Sequence, residues 1–251
     1  MTTEPENTDD EMPLIGHLME LRTRLIRVMS ALGLLFFLLV SFRNDLYAGL
    51  SAPLRHLLPA GSSMIATDVT SSFMAPFKLT FYAAFFFGIP YILAQIWGFI
   101  APALYKHEKK IAIPLLVTSI VLFYTGVAFA YFVTLGPVLK FFVSVAPEHV
   151  SFMTDINSYL DFCLKFFLVF GFTFEIPVVV LLLVMAGLIS TASLADKRRY
   201  IVVLCFAVAM FITPPDALSM AVLAIMMWLL FEVGLLFGRI LEKRRTDEAE
   251  G

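Results

Sequence analysis

No charged residue interrupts the chain between Lys78 and Lys106, or between Lys110 and Lys140. Uncharged, mostly apolar runs of that length leave lipid as the solvent in which the chain folds. An α-helix crosses the hydrocarbon of a bilayer, about 30 Å thick, with roughly 20 apolar residues. Helices are the reading because no period-two alternation of barrel strands is present, and in lipid each backbone N–H and C=O must be satisfied internally. Using charges as punctuation, the sequence predicts six spans. They cover 25–42, with Arg27 snorkelling back to the interface; the run between Lys78 and Lys106; a segment after Lys110 that ends before Lys140; 162–189, interrupted by Lys165 and Glu175; 200–212; and 217–237. Only Thr213-Pro214-Pro215-Asp216 separates the last two, and it reads as a tight turn because proline cannot continue a helix. With 60% hydrophobic and 15% charged residues and 26 Phe, both a disordered chain and an ordinary soluble enzyme are excluded.

The basic residues set the topology, because Lys and Arg in short loops stay on the cytoplasmic side. Arg22, Arg24 and Arg27 precede the first span, and Lys106, Lys109 and Lys110 join the second to the third. Lys197, Arg198 and Arg199 join the fourth to the fifth, and Arg239, Lys243, Arg244 and Arg245 follow the sixth. The opposite side has Arg43, Arg55 and Lys140. Both termini are therefore expected in the cytoplasm. The predicted organisation is an acidic tail over 1–13, a membrane domain over 14–239 and a charged tail over 240–251. The N-terminus does not read as a signal peptide, because residues 4–11 are acidic and no small-residue cleavage site follows a short apolar stretch. Leu14, Leu18, Leu21 and Leu25 recur at helical spacing, either as an amphipathic interfacial helix or as the cytoplasmic end of the first span. The fifth span, at about 20 Å, is short against roughly 30 Å of hydrocarbon, so local thinning of the bilayer or a partner helix is expected.

The usual catalytic constellations are missing. There is no Gly-Lys pair for a phosphate-binding loop, His107-Glu108-Lys109-Lys110-Ile111 has Ile where a zinc helix needs its second His, and no G-x-S-x-G elbow occurs. Cys163 and Cys205 both fall inside predicted spans, which argues against a disulfide framework and a thiolate metal site. No enzyme activity, cofactor or metal is expected, and the net charge of −2 argues against a nucleic-acid partner.

Three acidic residues invite interpretation. Glu175, in Phe174-Glu175-Ile176-Pro177, lies mid-span, where a carboxylate costs at least about 2.5 to 3.5 kcal/mol. It is either a structural carboxyl satisfied by a neighbouring helix or a site for an ion or a partner helix. Pro177 is expected to leave the carbonyl of Thr173 without its helical donor. Glu20 and Glu108 lie among basic residues at the expected cytoplasmic face, where they either balance local charge or receive a cationic ligand. Lys165 follows Asp161 by four residues, a spacing at which an i,i+4 ion pair suffices. Gly234-x-x-x-Gly238 and Ala84-x-x-x-Gly88 are spacings that let helices approach closely.

Several segments together resemble one family. His17-Leu18-Met19-Glu20-Leu21-Arg22, Ser51-Ala52-Pro53-Leu54, Phe99-Ile100-Ala101-Pro102-Ala103-Leu104-Tyr105-Lys106-His107-Glu108, Phe172-Thr173-Phe174-Glu175-Ile176-Pro177 and Thr213-Pro214-Pro215-Asp216 stand in the order and topological places found in TatC, the multi-spanning core of the twin-arginine protein translocase. The resemblance runs from about Leu14 to Arg239. It implies an all-α membrane protein of six transmembrane helices with both termini cytoplasmic, in a cupped bundle of the bacterial inner membrane. It also implies binding of twin-arginine signal peptides of folded proteins, assembly with the single-span TatB and TatA and with further copies of itself, and export driven by the proton-motive force. By the same resemblance Glu20 and Glu108 recognise the paired arginines, with Arg22, Phe99 and Leu104 as sensitive neighbours. Glu175 lies in the concave face, Thr213 and Asp216 lie near the partner-binding surface around the last two spans, and Pro53 is a sensitive periplasmic position. Two rival readings are a proton-coupled small-solute transporter with Glu175 as its proton site, disfavoured by the lack of a visible inverted repeat, and a scaffold with no role for Glu20 or Glu108.

Overall fold

The computed structural model describes residues 11–57, 65–67, 70–104, 109–145, 155–213 and 216–250. Among them no strand forms, and the one bridge joins Ile65 to Asp155. The chain is helical: α1 (Glu11–Leu39) runs through a 3-10 turn (Val40–Phe42) into α2 (Arg43–Leu57), followed by α3 (Ser71–Leu104). Next come α4 (Lys109–Phe129), a π turn (Ala130–Thr134) and α5 (Leu135–Val145). The remainder comprises α6 (Ile156–Thr173), α7 (Ile176–Met185), α8 (Thr191–Asp196), α9 (Arg198–Ile212) and α10 (Ala217–Glu250).

Five helical stretches are long and apolar enough to cross a membrane: Gly16–Ser51, Phe73–Phe99, Ile113–Val145, Ile156–Met185 and Ala217–Lys243. The fifth expected span is also a helix, α9, but with 15 residues it falls short of that length. Lipid exposure explains the surface. Leu34, Phe37 and Leu38 on α1, and Val203, Met210 and Phe211 on α9, are all more than half exposed, a distribution that would be costly in water and costs nothing against acyl chains.

Prolines determine how the long helices deviate. Pro90 lacks an N–H and so leaves the carbonyl of Phe86 without its helical donor; the hydroxyl of Tyr124 on α4 donates to that carbonyl at 2.8 Å. Pro177 is handled differently, because the predicted fourth span is two helices. The amide of Phe174 donates to the Phe170 carbonyl and that of Glu175 to the Phe172 carbonyl, the tightening typical of a helix end. The chain restarts at α7 with Pro177 in its first turn, where the missing N–H has no partner to lose.

The principal packing pairs are α1 with α3, α4 with α6 and α7 with α10. At the centre of the α4–α6 contact, Phe170 packs on Phe129 and Phe166, with ring centroids 5.9 and 4.8 Å away. The helices approach so closely that a Cβ on Gly126 would stand 2.5 Å from the Phe170 carbonyl oxygen. The Gly234-x-x-x-Gly238 spacing serves the same end on α10: a Cβ at Gly234 would lie 2.8 Å from the Cα of Pro177, and one at Gly238 3.2 Å from Thr191. Gly88 faces Leu32 of α1, and Ala84 is buried one turn away.

One expected ion pair is replaced by another. Asp161 does not need Lys165, because Lys78 of α3 donates to its Oδ1 at 2.6 Å; tertiary packing of α3 against α6 brings Lys78 within reach, which local spacing could not reveal. At the start of α6, Asp155 caps the helix by accepting from the amide of Ser158 and clasps Thr67 through its hydroxyl and its amide. These donors, the Ser158 amide foremost, hold the Asp155 carboxyl well below the usual carboxylate range.

Gly234→Ala forces backbone apart and is expected to cost about 1–3 kcal/mol, read as a lower Tm of the detergent-solubilised protein. Gly33→Ala, whose Cβ would meet nothing within 4 Å, is expected to leave the Tm unchanged or raise it slightly. Because the folded-state value of Asp155 is depressed, its contribution is present at all pH values above about 4 and is lost only as pH falls below that. The protection factor of amides at the start of α6, taken against the intrinsic exchange rate at each pH, is therefore expected to hold steady from pH 7 to pH 5 and to fall at lower pH, with Asp155→Asn abolishing the dependence.

Candidate functional site

The N-terminal part of α1 lies along the C-terminal part of α3, and their contact creates a polar site from residues far apart in sequence. Glu20 and Arg24 are one helical turn apart on α1. The Nε and Nη2 atoms of Arg24 both donate to Oε1 of Glu20, at 2.9 and 2.6 Å. The same guanidinium continues across to α3, where Nη2 donates to the Gly98 carbonyl at 2.9 Å and Nη1 approaches the Gln95 carbonyl and Oε1 at 3.4 and 3.3 Å. Arg24 is thereby used on both sides. Glu20 keeps 37% of its side chain exposed, and its Oε2 lies 3.8 Å from Nδ1 of His17. The His17 ring packs on Phe99 with centroids 4.8 Å apart. Met19, Glu20, Thr23, Arg24 and Arg27 line a hollow of about 360 Å³.

Of the residues singled out by sequence, Glu20 and Phe99 are thus brought to one place, with His17 between them. Arg22 is exposed on α1. Leu104 ends α3 and Pro53 lies in α2, but both side chains are outside the described part of the structure, and Glu108 lies outside the described residues altogether. Sequence reasoning missed Gln95 and Gly98. The Glu20–Arg24 spacing was visible as an i,i+4 pair, whereas nothing in the sequence marks two uncharged residues of a distant helix as the far anchor of an arginine.

Glu175 stands at the junction of α6 and α7. Its Oε1 is buried without a hydrogen-bond partner among the described residues. The Ser119 hydroxyl on α4 lies beside the Glu175 carboxyl and accepts from Nε1 of Trp97 on α3 at 3.3 Å. Trp97 is buried and sits between Gln95 and Gly98 in sequence, so one short segment of α3 supports the polar site at one face and Ser119 of α4 at another. Thr213 and Asp216 build a turn. The Thr213 hydroxyl donates to the Ala209 carbonyl at 2.8 Å, and Asp216 caps α10 by accepting from the Ser219 amide at 2.6 Å. Pro214 and Pro215 lie outside the described residues. Among the described residues no group of three or more His, Cys, Asp or Glu gathers to hold a metal.

The chemistry on offer is therefore recognition of a cation by a partly paired carboxylate. A buried polar atom without a partner costs about 1–3 kcal/mol, so Glu175→Leu is expected to raise the stability of the isolated protein by up to that amount. Thermal unfolding in detergent checks this: an unchanged or lower Tm would show the carboxyl to be fully satisfied in the resting fold.

Residues 16–225 match the model of the family described as Sec-independent protein translocase protein (TatC). A Sec-independent protein translocase protein TatC of Azotobacter chroococcum is 51% identical over 249 residues, covering 99% of this chain and 97% of that one. The corresponding protein of Escherichia coli K12 is 50% identical over 233 residues, covering 93% and 90%. Among solved structures, a crystal structure of the twin arginine translocase receptor TatC superposes with a TM-score of 0.78 at 34% identity, covering 89% of this chain and 98% of that one.

Proposed function

The chain belongs to the TatC family, and from that premise we propose that it is the signal-receptor core of a twin-arginine protein translocase in a bacterial inner membrane. It is a transport protein rather than an enzyme: it binds twin-arginine signal peptides of folded proteins and, with TatB, TatA and further copies of itself, exports them at the expense of the proton-motive force. The five long helices and the shorter α9 form six crossings, with both termini in the cytoplasm as the distribution of Lys and Arg supports.

The observation that carries the reading is the half-exposed carboxylate of Glu20, held by Arg24 at the rim of a hollow. Glu20 takes one arginine of the signal and Glu108 the other, so that two carboxylates on separate segments count two adjacent residues. Arginine suits such a site because its planar fork pairs with carboxylate and is weakly hydrated, whereas lysine is a compact, strongly hydrated charge. Each exposed pair contributes only about 0.2–1 kcal/mol. Most of the affinity then comes from burial of the peptide's apolar segment along the helices, at about 25 cal/mol per Å², while charge supplies register. Arg22, Phe99 and Leu104 shape the surroundings of the arginine site, and Pro53 supports the periplasmic side. Glu175 lies in the concave face, and Thr213 and Asp216 hold the α9–α10 turn beside the TatB and TatA contact. Passage itself draws on the short α9 and local bilayer thinning.

Export of a folded reporter bearing a twin-arginine signal, in cells whose own receptor is replaced by this chain, tests the reading. The intact chain is expected to support export, and Glu20→Ala combined with Glu108→Ala to abolish it. Full export by the double variant would remove the receptor site. Export that survives this pair but fails with Glu175→Gln would favour the intramembrane carboxyl as the functional centre.

A further inference from the structure

The arginine site already contains an arginine of its own. Arg24 places two N–H groups on Oε1 of Glu20, and its remaining donors reach α3 at the carbonyl of Gly98 and at Gln95. Gly98 leaves room for that seat: a Cβ there would lie 2.5 Å from Nη1, at the flexible end of the Arg24 side chain, which would have to shift. Glu20 is left with Oε2, which faces His17 and, behind it, Phe99. Resting on the reading of Glu20 as the receptor for arginine, we infer that Arg24 is the positioning residue that makes the site selective for arginine over lysine.

The selectivity has an electrostatic and a geometric origin. A carboxylate with both oxygens free attracts any cation, ammonium included. With Oε1 saturated and the charge of Glu20 offset by Arg24, a point charge gains little at the rim. A guanidinium keeps two advantages. It can place one N–H on Oε2 and turn its other donors to neighbouring acceptors such as the Thr23 hydroxyl, whose own proton is committed to the Met19 carbonyl at 2.9 Å. Its flat, weakly hydrated face also stacks on an aromatic wall, here His17 packed on Phe99. Arg24 thus lowers the general attraction of the site for cations while leaving the part of it that a second arginine can use.

The test uses the full-length chain in lipid nanodiscs with two fluorescent signal peptides that differ only in Arg-Arg against Lys-Lys. The intact chain is expected to prefer Arg-Arg. Arg24→Ala is expected to narrow the ratio of the two affinities by about fivefold, the scale of one exposed ion pair, chiefly through tighter binding of the Lys-Lys peptide. Gly98→Ala keeps every charge but displaces the guanidinium, and is expected to narrow the ratio in the same direction by less than Arg24→Ala does; Arg24→Lys is expected to restore part of it. An unchanged ratio in both Arg24→Ala and Gly98→Ala would overturn the inference, as would equal weakening of both peptides, which marks a merely structural role. If the intact chain itself shows no preference between the peptides, the receptor reading fails first and this inference falls with it.

Discussion

Inside hydrocarbon every backbone donor and acceptor must find a partner within the protein, and the architecture depends on how that requirement is met wherever proline interrupts a helix. At Pro90 the orphaned carbonyl of Phe86 is served by a hydroxyl from the next helix, Tyr124, so α3 continues and is stapled to α4. At Pro177 the chain ends one helix and begins another, with Glu175 at the junction. Threonine side chains within the helices are paired locally, the hydroxyls of Thr80 and Thr118 donating to the carbonyls of Pro76 and Pro114 four residues earlier.

Small residues perform the complementary task. Helices in lipid gain no hydrophobic driving force from meeting one another, so close contact and hydrogen bonds hold them together. Gly126 lets α4 meet the backbone of α6, and Gly234 lets α10 meet that of α7. At Gly98 the missing side chain admits a guanidinium instead of a helix. The last turns of α3 therefore face two ways: Gln95 and Gly98 anchor Arg24 toward α1, while Trp97 donates to Ser119 of α4.

Much of this was legible in the sequence. The uncharged runs located the long helices, the prolines and charges located most of their ends, and Gly234-x-x-x-Gly238 marked a true contact face. The site was half legible: Glu20 and Phe99 were named, and the Glu20–Arg24 spacing was open to view. The split of the fourth span into α6 and α7 was foreshadowed by Pro177, although the sequence was read as one interrupted span. Asp161 was assigned a neighbour on its own helix, and Lys78, 83 residues earlier, takes it instead.

What the sequence by itself determined is the set of elements and their solvent, because hydropathy, proline and charge act over a few residues and depend little on what surrounds them. What only the tertiary structure decided is which polar groups meet. Arg24 on Gly98, Trp97 on Ser119 and Lys78 on Asp161 all depend on the angle and register at which rigid helices pack, set by side chains of very different positions in the chain. A carboxylate can be seen in a sequence. How much of it is already occupied depends on the helix that lies beside it.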